Sequence, residues 1–289
     1  MRWLVAGSNG MLGQDLVAML RERGHDAEGI DRAEVDITDP AATVDVARGF
    51  DVLVNCAAHT AVDAAEEDEG SAFTVNAVGA ANLARAAHAA GARMVQISTD
   101  YVFPGDATAP YAEDAPIGAR SAYGRTKAAG EWAVRAECPD HLVVRTAWLY
   151  GALGACFPKT IVRVARERGG LDVIADQVGQ PTWTQDLADL VIRLVEAHAP
   201  SGTYHGTSSG STSWHGFAQA AVAADGLDPA IVRETTSDVY VRPAPRPAYS
   251  VLGHDALRRV GVEPIGDWAA RWAQAAPTVL AEVTPSAPA

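Results

Sequence analysis

The sequence predicts an α/β fold: a doubly wound parallel sheet with a smaller, discontinuous C-terminal lobe. Three observations point there. Short β-branched apolar runs alternate with Ala-rich helical stretches through the first half. The first of these runs leads straight into a glycine turn at Gly7, Gly10 and Gly13. After about Gly151 the alternation gives way to a Gly/Ser/Thr-rich stretch and a Pro-rich segment. Strand–helix alternation of this kind implies a parallel sheet covered on both faces.

Arg2–Ala6 reads as a buried strand, and Met11–Arg23 as a helix stopped at Gly24. Val52–Asn55, Arg93–Ser98 and Leu142–Arg145 read as further strands. Runs such as WLVA and DVLVN are almost continuously apolar, the pattern of strands buried on both faces. Helical segments are predicted near Ala41–Ala47, Ala65–Ala89 and Ser121–Ala136. In the second half, helices near Phe157–Glu167 and Asp186–Ala197 precede the polar stretch Gly202–Ser213. The Pro-rich segment Val241–Ser250 follows, then an amphipathic helix near Trp268–Ala275. The expected division is a sheet domain at 1–150 and a lobe at 151–283, some of whose elements return to the sheet. Residues 284–289 are expected to be a disordered tail.

The chain has 289 residues, 48% hydrophobic and 20% charged, which is a globular composition. Its net charge of −13 argues against nucleic acid as a partner, because backbone binding needs a basic surface. No apolar stretch reaches the roughly 18 residues of a membrane helix. The start of the chain lacks a secretory pattern, so a cytoplasmic protein without membrane partners is expected. Cys56, Cys138 and Cys156 are widely spaced and form no C-x-x-C, so they read as reduced thiols.

The glycine turn sits in VAGSNGMLGQDL, after a predicted strand and at the start of a predicted helix. Glycine permits the tight turn and the close approach of backbone to a diphosphate. The N–H groups at the helix start then face the negative charge. This context makes the motif a dinucleotide-binding fingerprint of the Rossmann type. An acidic residue about 20 residues downstream should hold the adenosine ribose. Asp31 is so placed; it favours NAD, while its neighbour Arg32 could hold the additional phosphate of NADP.

Further along, VNCAAHT ends a strand in small residues, Cys56, Ala57 and Ala58, leaving room for a ligand. His59 has no second His or Cys at metal-ligand spacing, so it reads as a binding or packing residue. The acidic run Glu66–Glu69 reads as a solvated first helical turn. STDYVFPG, Ser98–Gly105, sets hydroxyls and a carboxylate at one sheet edge. In YGRTK, Tyr123 and Lys127 are four apart and share one helix face. A phenol titrates near about 10, and a nearby ammonium should lower that value. The pair could then pass a proton to or from a carbonyl or alcohol oxygen. Gly206–Gly210 matches G-x-S-x-G, but no helix is predicted directly after it, so it reads as a polar loop. The sequence holds no zinc, H-E-x-x-H or phosphate-loop pattern.

Taken together, NCAAHTAVDAAE, STDYVFPG, YGRTKAAGE, VVRTAWLYG, DQVGQPTWTQDLA and RPAPRPAYSVL resemble the dTDP-4-dehydrorhamnose reductase family of extended short-chain dehydrogenases. The resemblance covers nearly the whole length. It implies an NADPH- or NADH-dependent oxidoreductase that reduces the 4-keto group of a dTDP-4-keto-6-deoxysugar. Tyr123 would protonate the sugar O4, Thr99 would hydrogen-bond the same oxygen, and Lys127 would hold the nicotinamide ribose. Cofactor contacts would come from Gly10, Met11 and Leu12, then Asp31, Asp36, Ile37, Ala57, Ala58 and His59. The sugar nucleotide would meet Thr99, Asp100 and Trp148, the last as a surface on which a sugar ring packs. Arg242 and Arg246, on a loop stiffened by proline, could meet its diphosphate. Some members link dimers through Mg²⁺-binding glutamates; the corresponding positions here are Asp15 and Gln185, which argues against a metal link and leaves a monomer or a plain homodimer.

The alternatives are the same chemistry on another dTDP-ketosugar, such as dTDP-dihydrostreptose synthesis, and a non-catalytic regulatory subunit of this fold. Intact Thr99, Tyr123 and Lys127 weigh against the second. An epimerase would use the same pair without net cofactor consumption. A dehydratase would need a glutamate beside Asp100, which the TDYVF run lacks.

Overall fold

The computed structural model describes residues 1–281 and Val283, so the tail expected at 284–289 lies outside the described residues. Five strands, β1 (Arg2–Ala6), β2 (Asp26–Ile30), β3 (Val52–Asn55), β4 (Arg93–Thr99) and β5 (His141–Thr146), join Gly202–His205 in one sheet. The order is Gly202–His205, β5, β4, β3, β1, β2, and every pairing is parallel. Strand order reverses at β1, with β2 on one side and β3 on the other. In such sheets a crevice opens beyond the carboxyl ends of the strands at this switch point.

Alternate residues of the strands feed two cores, as a period of two requires. Trp3, Val5, Val52 and Val54 face helix α1 (Met11–Glu22) and the helix Thr184–Glu196, through Leu16, Leu20, Leu187 and Leu190. Leu4, Leu53 and Met94 face the other layer, through Leu83, Ala84, Ala87 and Val134. That layer holds the helices Ala80–Ala90 and Ala122–Glu137. The lobe has its own core, built around Tyr150, Phe217 and Trp272.

Three expectations are corrected. The segment from Gly202, read as irregular lobe, supplies the sixth strand, with Gly202 opposite Leu142 and His205 opposite Arg145. Polar residues hid it, yet His205 is fully buried, with its Nδ1 2.8 Å from the Gly253 carbonyl oxygen and its Nε2 without a partner among the described residues. The helix near Ala41–Ala47 shrinks to Pro40–Thr43, capped by Asp39 and followed by turns. The long helical segment Ala65–Ala89 is broken into Ala64–Glu67, Glu69–Phe73, a π-helical stretch Thr74–Gly79, and Ala80–Ala90. Asp68 causes the first break, since its side chain accepts from Ser71 N and caps a new helix. The G-x-S-x-G segment is extended: Ser208–Ser209 pairs with Ile265–Asp267, and the next helix starts only at Trp214. Cys56, Cys138 and Cys156 are all free thiols.

One buried ion pair ties the sheet to the helix that carries Tyr123. Arg145 of β5 donates to both Glu131 oxygens, each at 2.8 Å. Ser98 of β4 donates to Glu131 Oε1 at 2.6 Å, and both charged side chains are essentially inaccessible. Burial works to raise the Glu131 carboxyl, but the Arg145 guanidinium, helped by the Ser98 hydroxyl and Arg135, holds the group below its ordinary range. Arg145→Ala would leave that carboxylate buried with only the half-exposed Arg135, 3.0 Å from Oε2, and the Ser98 hydroxyl beside it. The expected loss is about 3–5 kcal/mol of folding stability, measured by urea denaturation. A loss below about 1 kcal/mol would show that the pair contributes no more than a surface one.

Candidate active site

The glycine turn is built for close approach. Gly7 has φ +77°, and a Cβ there would stand 2.6 Å from Ala57 N, so any side chain would collide with the loop after β3. A Cβ on Gly13 would lie 2.2 Å from the Gly7 carbonyl oxygen, so glycine also lets α1 start tight against the turn. Gly10 is the N-cap of α1 and provides no side-chain cap. The first-turn N–H groups are thereby left for a ligand, at the positive end of the helix.

A cavity of about 1160 Å³ runs along this edge of the sheet. Its volume exceeds the roughly 300–1,000 Å³ of a pocket for one small ligand, so it fits a dinucleotide with a second molecule beside it. Gly7, Gly10, Met11, Leu12, Gly13, Asp31, Asp36 and Ile37 line one end. Ala57, Ala58, His59, Thr99, Asp100, Tyr123, Lys127 and Trp148 also line it. The residues singled out in the sequence are thus brought together from five strand ends and two helices, with two exceptions. Arg242 and Arg246 do not line the cavity. Arg246 Nη2 pairs with Asp63 Oδ2 at 2.9 Å, and Arg242 Nη1 stands 4.0 Å from the same atom.

Asp31, expected to hold a ribose, is engaged within the chain itself. Its Oδ2 accepts from Asn9 N at 3.0 Å and its Oδ1 from Arg32 N at 2.8 Å, so it also pins the glycine turn. At Asp36 the Thr38 hydroxyl and N–H both donate to Oδ1 and hold the carboxyl below its ordinary range. His59 is fixed through its backbone: its N–H donates to Asn76 Oδ1 at 2.8 Å, and its carbonyl accepts from Asn76 Nδ2 at 3.2 Å. Asn76 Nδ2 also donates to Thr126 Oγ1, one turn from Tyr123. Asn76 lies in the π-helical stretch, where an extra residue in the turn turns a polar side chain inward.

At the centre, Ser121 caps the helix Ala122–Glu137 by accepting from Gly124 N at 3.1 Å. The acidic run Glu66–Glu69, expected to be solvated, anchors this helix: Glu66 accepts from Ala122 N at 2.7 Å, and Glu69 pairs with Arg125 at 2.7 Å. Tyr101 packs edge-on against Tyr123, with centroids 5.6 Å apart. Lys127 Nζ donates to the Ile97 carbonyl oxygen at 2.6 Å. Burial lowers the Lys127 ammonium to about 8 and raises the Tyr123 phenol to about 12, the latter against the pull of the Thr99 hydroxyl. The expected lowering of the phenol by Lys127 is therefore not what the structure has. Lys127 is turned to the β4 backbone, and desolvation decides the phenol. Asp100 is buried beneath Thr99, whose Oγ1 donates to its Oδ1 at 3.0 Å, and burial raises its carboxyl to about 6.

Trp148 follows β5 with φ 47°, in the left-handed region, a strain of about 1–3 kcal/mol for a bulky residue. Trp214, which sequence reasoning missed, stacks on it at 3.5 Å between centroids and lines the cavity with it. No spacing linked residues 66 apart in sequence. Asn76 left a fainter signal, an amide inside an Ala-rich helical run. Among the described residues no His, Cys, Asp and Glu side chains are grouped to hold a metal ion, and no helix is long and apolar enough to cross a membrane.

With this geometry in place, comparison with known proteins is decisive. The model of the family described as RmlD substrate binding domain matches residues 1–283. The chain belongs to this family. A probable dTDP-4,6-dihydroxy-2-methyloxan-3-one 4-ketoreductase of Streptomyces antibioticus is 46% identical over 99% of this chain and 98% of its own. A dTDP-4-dehydrorhamnose reductase of Streptomyces griseus is also 46% identical, over 96% of this chain and 94% of its own. The crystal structure of dTDP-4-dehydrorhamnose reductase from Bacillus anthracis in complex with NADP is 35% identical, with a TM-score of 0.91 over 95% of this chain and 98% of that one.

The two shifted groups at the centre give stability a pH dependence. An unfolded lysine titrates near about 10.4, above the value of about 8 for Lys127 in the fold. Between these values the unfolded chain binds more protons, so stability rises with pH. Tyr123 acts the other way above about 10, where only the unfolded phenol ionises. Lys127→Met should remove the rise between about pH 8 and 9.5, read as the difference in urea midpoints. An equal rise in the variant would mean that Lys127 titrates normally in the fold.

Proposed function

We propose that this chain carries out NAD(P)H-dependent reduction of the 4-keto group of a dTDP-4-keto-6-deoxysugar, converting dTDP-4-dehydro-β-L-rhamnose to dTDP-β-L-rhamnose. The observation that carries this reading is the convergence of Thr99, Tyr123 and Lys127 in the cavity that the glycine turn opens. The family match over residues 1–283 and the names of the relatives support it. The working form is a cytoplasmic monomer or homodimer without a metal link.

Bound NADH or NADPH would supply the hydride. Gly10, Met11 and Leu12 would hold its diphosphate, and Asp31 with Arg32 its adenosine end. Tyr123 keeps its proton at neutral pH, as any phenol does, and burial that raises it to about 12 only adds to this. It is therefore a proton donor, whose task is to meet the oxygen that becomes an alkoxide as the carbonyl is reduced. Thr99, which faces Tyr123 and donates to Asp100, would orient that oxygen. Lys127 brings a cation beside the cofactor end of the site. Arg242 and Arg246 would reach a diphosphate by exchanging the Asp63 carboxylate for it.

A second reading keeps the reaction and changes the sugar. It rests on the 46% identity that the 4-ketoreductase of Streptomyces antibioticus shares with this chain, equal to that of the Streptomyces griseus reductase. Incubation with each dTDP-4-ketosugar and NADH or NADPH, followed by nicotinamide absorbance, decides between them. Oxidation with the rhamnose precursor is expected, and its absence sinks the first reading. Tyr123→Phe should lower kcat by about 10²–10⁴-fold while nicotinamide binding survives. A variant with near-full turnover would remove Tyr123 as the donor.

A further inference from the structure

Trp148 faces the cavity, but neither of its ring faces is free. Trp214 covers one, with its ring 9° from parallel and 3.5 Å away between centroids. Gly179 covers part of the other. A Cβ built on Gly179 would lie 2.5 Å from Trp148 Cε2, 2.7 Å from Cζ2 and 2.8 Å from Nε1. Three distances so nearly equal place that point above the ring plane rather than beside its rim. It cannot be on the side of Trp214, whose ring would then be among its nearest neighbours. Trp148 is therefore sandwiched between an indole and a glycine backbone.

The two sides of the sandwich are tied to each other. Val178–Gly179 pairs antiparallel with Thr212–Ser213, and Trp214 follows directly. Ser213 caps the helix Trp214–Ala224 by accepting from Gly216 N at 3.0 Å, which fixes the backbone of Trp214. Phe157 packs against Trp214 from the lobe at 4.5 Å. Such over-determination is what keeps a bulky residue in the left-handed region.

We propose that Trp214 and Gly179 are specificity-determining positioning residues, which hold Trp148 so that the sugar meets the rim of its indole and not its face. This rests on the reading of the substrate as a dTDP-6-deoxysugar. The wall is preorganised and apolar, and its shape is set before the ligand arrives. It suits the methyl and ring C–H groups of a deoxysugar, which need no hydrogen-bond partner there.

Two stacked indoles give an exciton couplet in far-ultraviolet circular dichroism, and Trp148–Trp214 is the stacked indole pair among the described residues. The couplet should be present in the free protein, absent from Trp214→Ala, and intact on saturation with dTDP-β-L-rhamnose. Trp214→Ala should raise KM for the ketosugar about 10- to 100-fold and leave KM for NADPH unchanged, with Trp214→Phe recovering most of the loss. Gly179→Ala, which pushes on Trp148 from the other side, should raise the same KM. Loss of the couplet on saturation would overturn the proposal, because the sugar would then have entered between the rings. An unchanged ketosugar KM in Trp214→Ala or in Gly179→Ala would also overturn it. If the parent protein reduces no ketosugar, the functional reading fails, while a couplet lost in Trp214→Ala still establishes the sandwich.

Discussion

The arrangement of the site depends on the Glu131–Arg145 pair beneath it. The helix with Tyr123 and Lys127 lies on β4 and β5, and a carboxylate on its inner face meets a guanidinium from the sheet. Neither group can leave the other without exposing a full charge to a medium that solvates it poorly. Ser98, one residue before Thr99, donates to the same carboxylate. The pair therefore sets the rotation of the helix and the height of the strand end together. Tyr123 and Thr99 face each other because the elements carrying them share this anchor.

Around that anchor the cavity is shaped by residues that are small or fixed from behind. Gly7 lets the glycine turn touch the loop after β3, which narrows the crevice at the switch point. A Cβ on Gly130 would lie 2.2 Å from the Asn76 carbonyl oxygen, so glycine lets two helices close over the site. Asn76 then reaches both the His59 backbone and Thr126. Lys127 and Asp100 are buried and Tyr123 is half-buried. The result is a phenol that holds its proton, a lysine that holds its own less firmly, and a carboxyl that approaches neutrality. Burial moves all three in the direction that disfavours charge.

The lobe meets this machinery through aromatic packing. Trp148 leaves the sheet domain in a strained conformation and is received by Trp214 and Gly179. A rigid apolar wall thus lines the same cavity as Thr99, Tyr123 and Lys127. Relatives named for different sugars are equally identical to this chain, at 46%.

The sequence by itself determined the fold class and the family. Four apolar runs, a glycine turn and a tyrosine–lysine spacing of four are local patterns, and local sterics and periodicity suffice to read them; the strand Asp26–Ile30, DAEGI, has no such pattern. The sequence mistook the strand Gly202–His205 for irregular chain, because the run is polar and the Gly253 carbonyl that meets His205 Nδ1 lies far along the sequence. It read Glu66–Glu69 as solvated, because their partners Ala122 and Arg125 come from another helix. It expected Lys127 to lower the phenol of Tyr123, because spacing reports that two groups share a face and not where a buried ammonium finds its acceptor. Trp214, Gly179 and the Asp63 pairing of Arg246 belong wholly to the tertiary structure. Each depends on which surfaces meet after the lobe folds back on the sheet. Those contacts join residues tens of positions apart, and no periodicity along the chain records them.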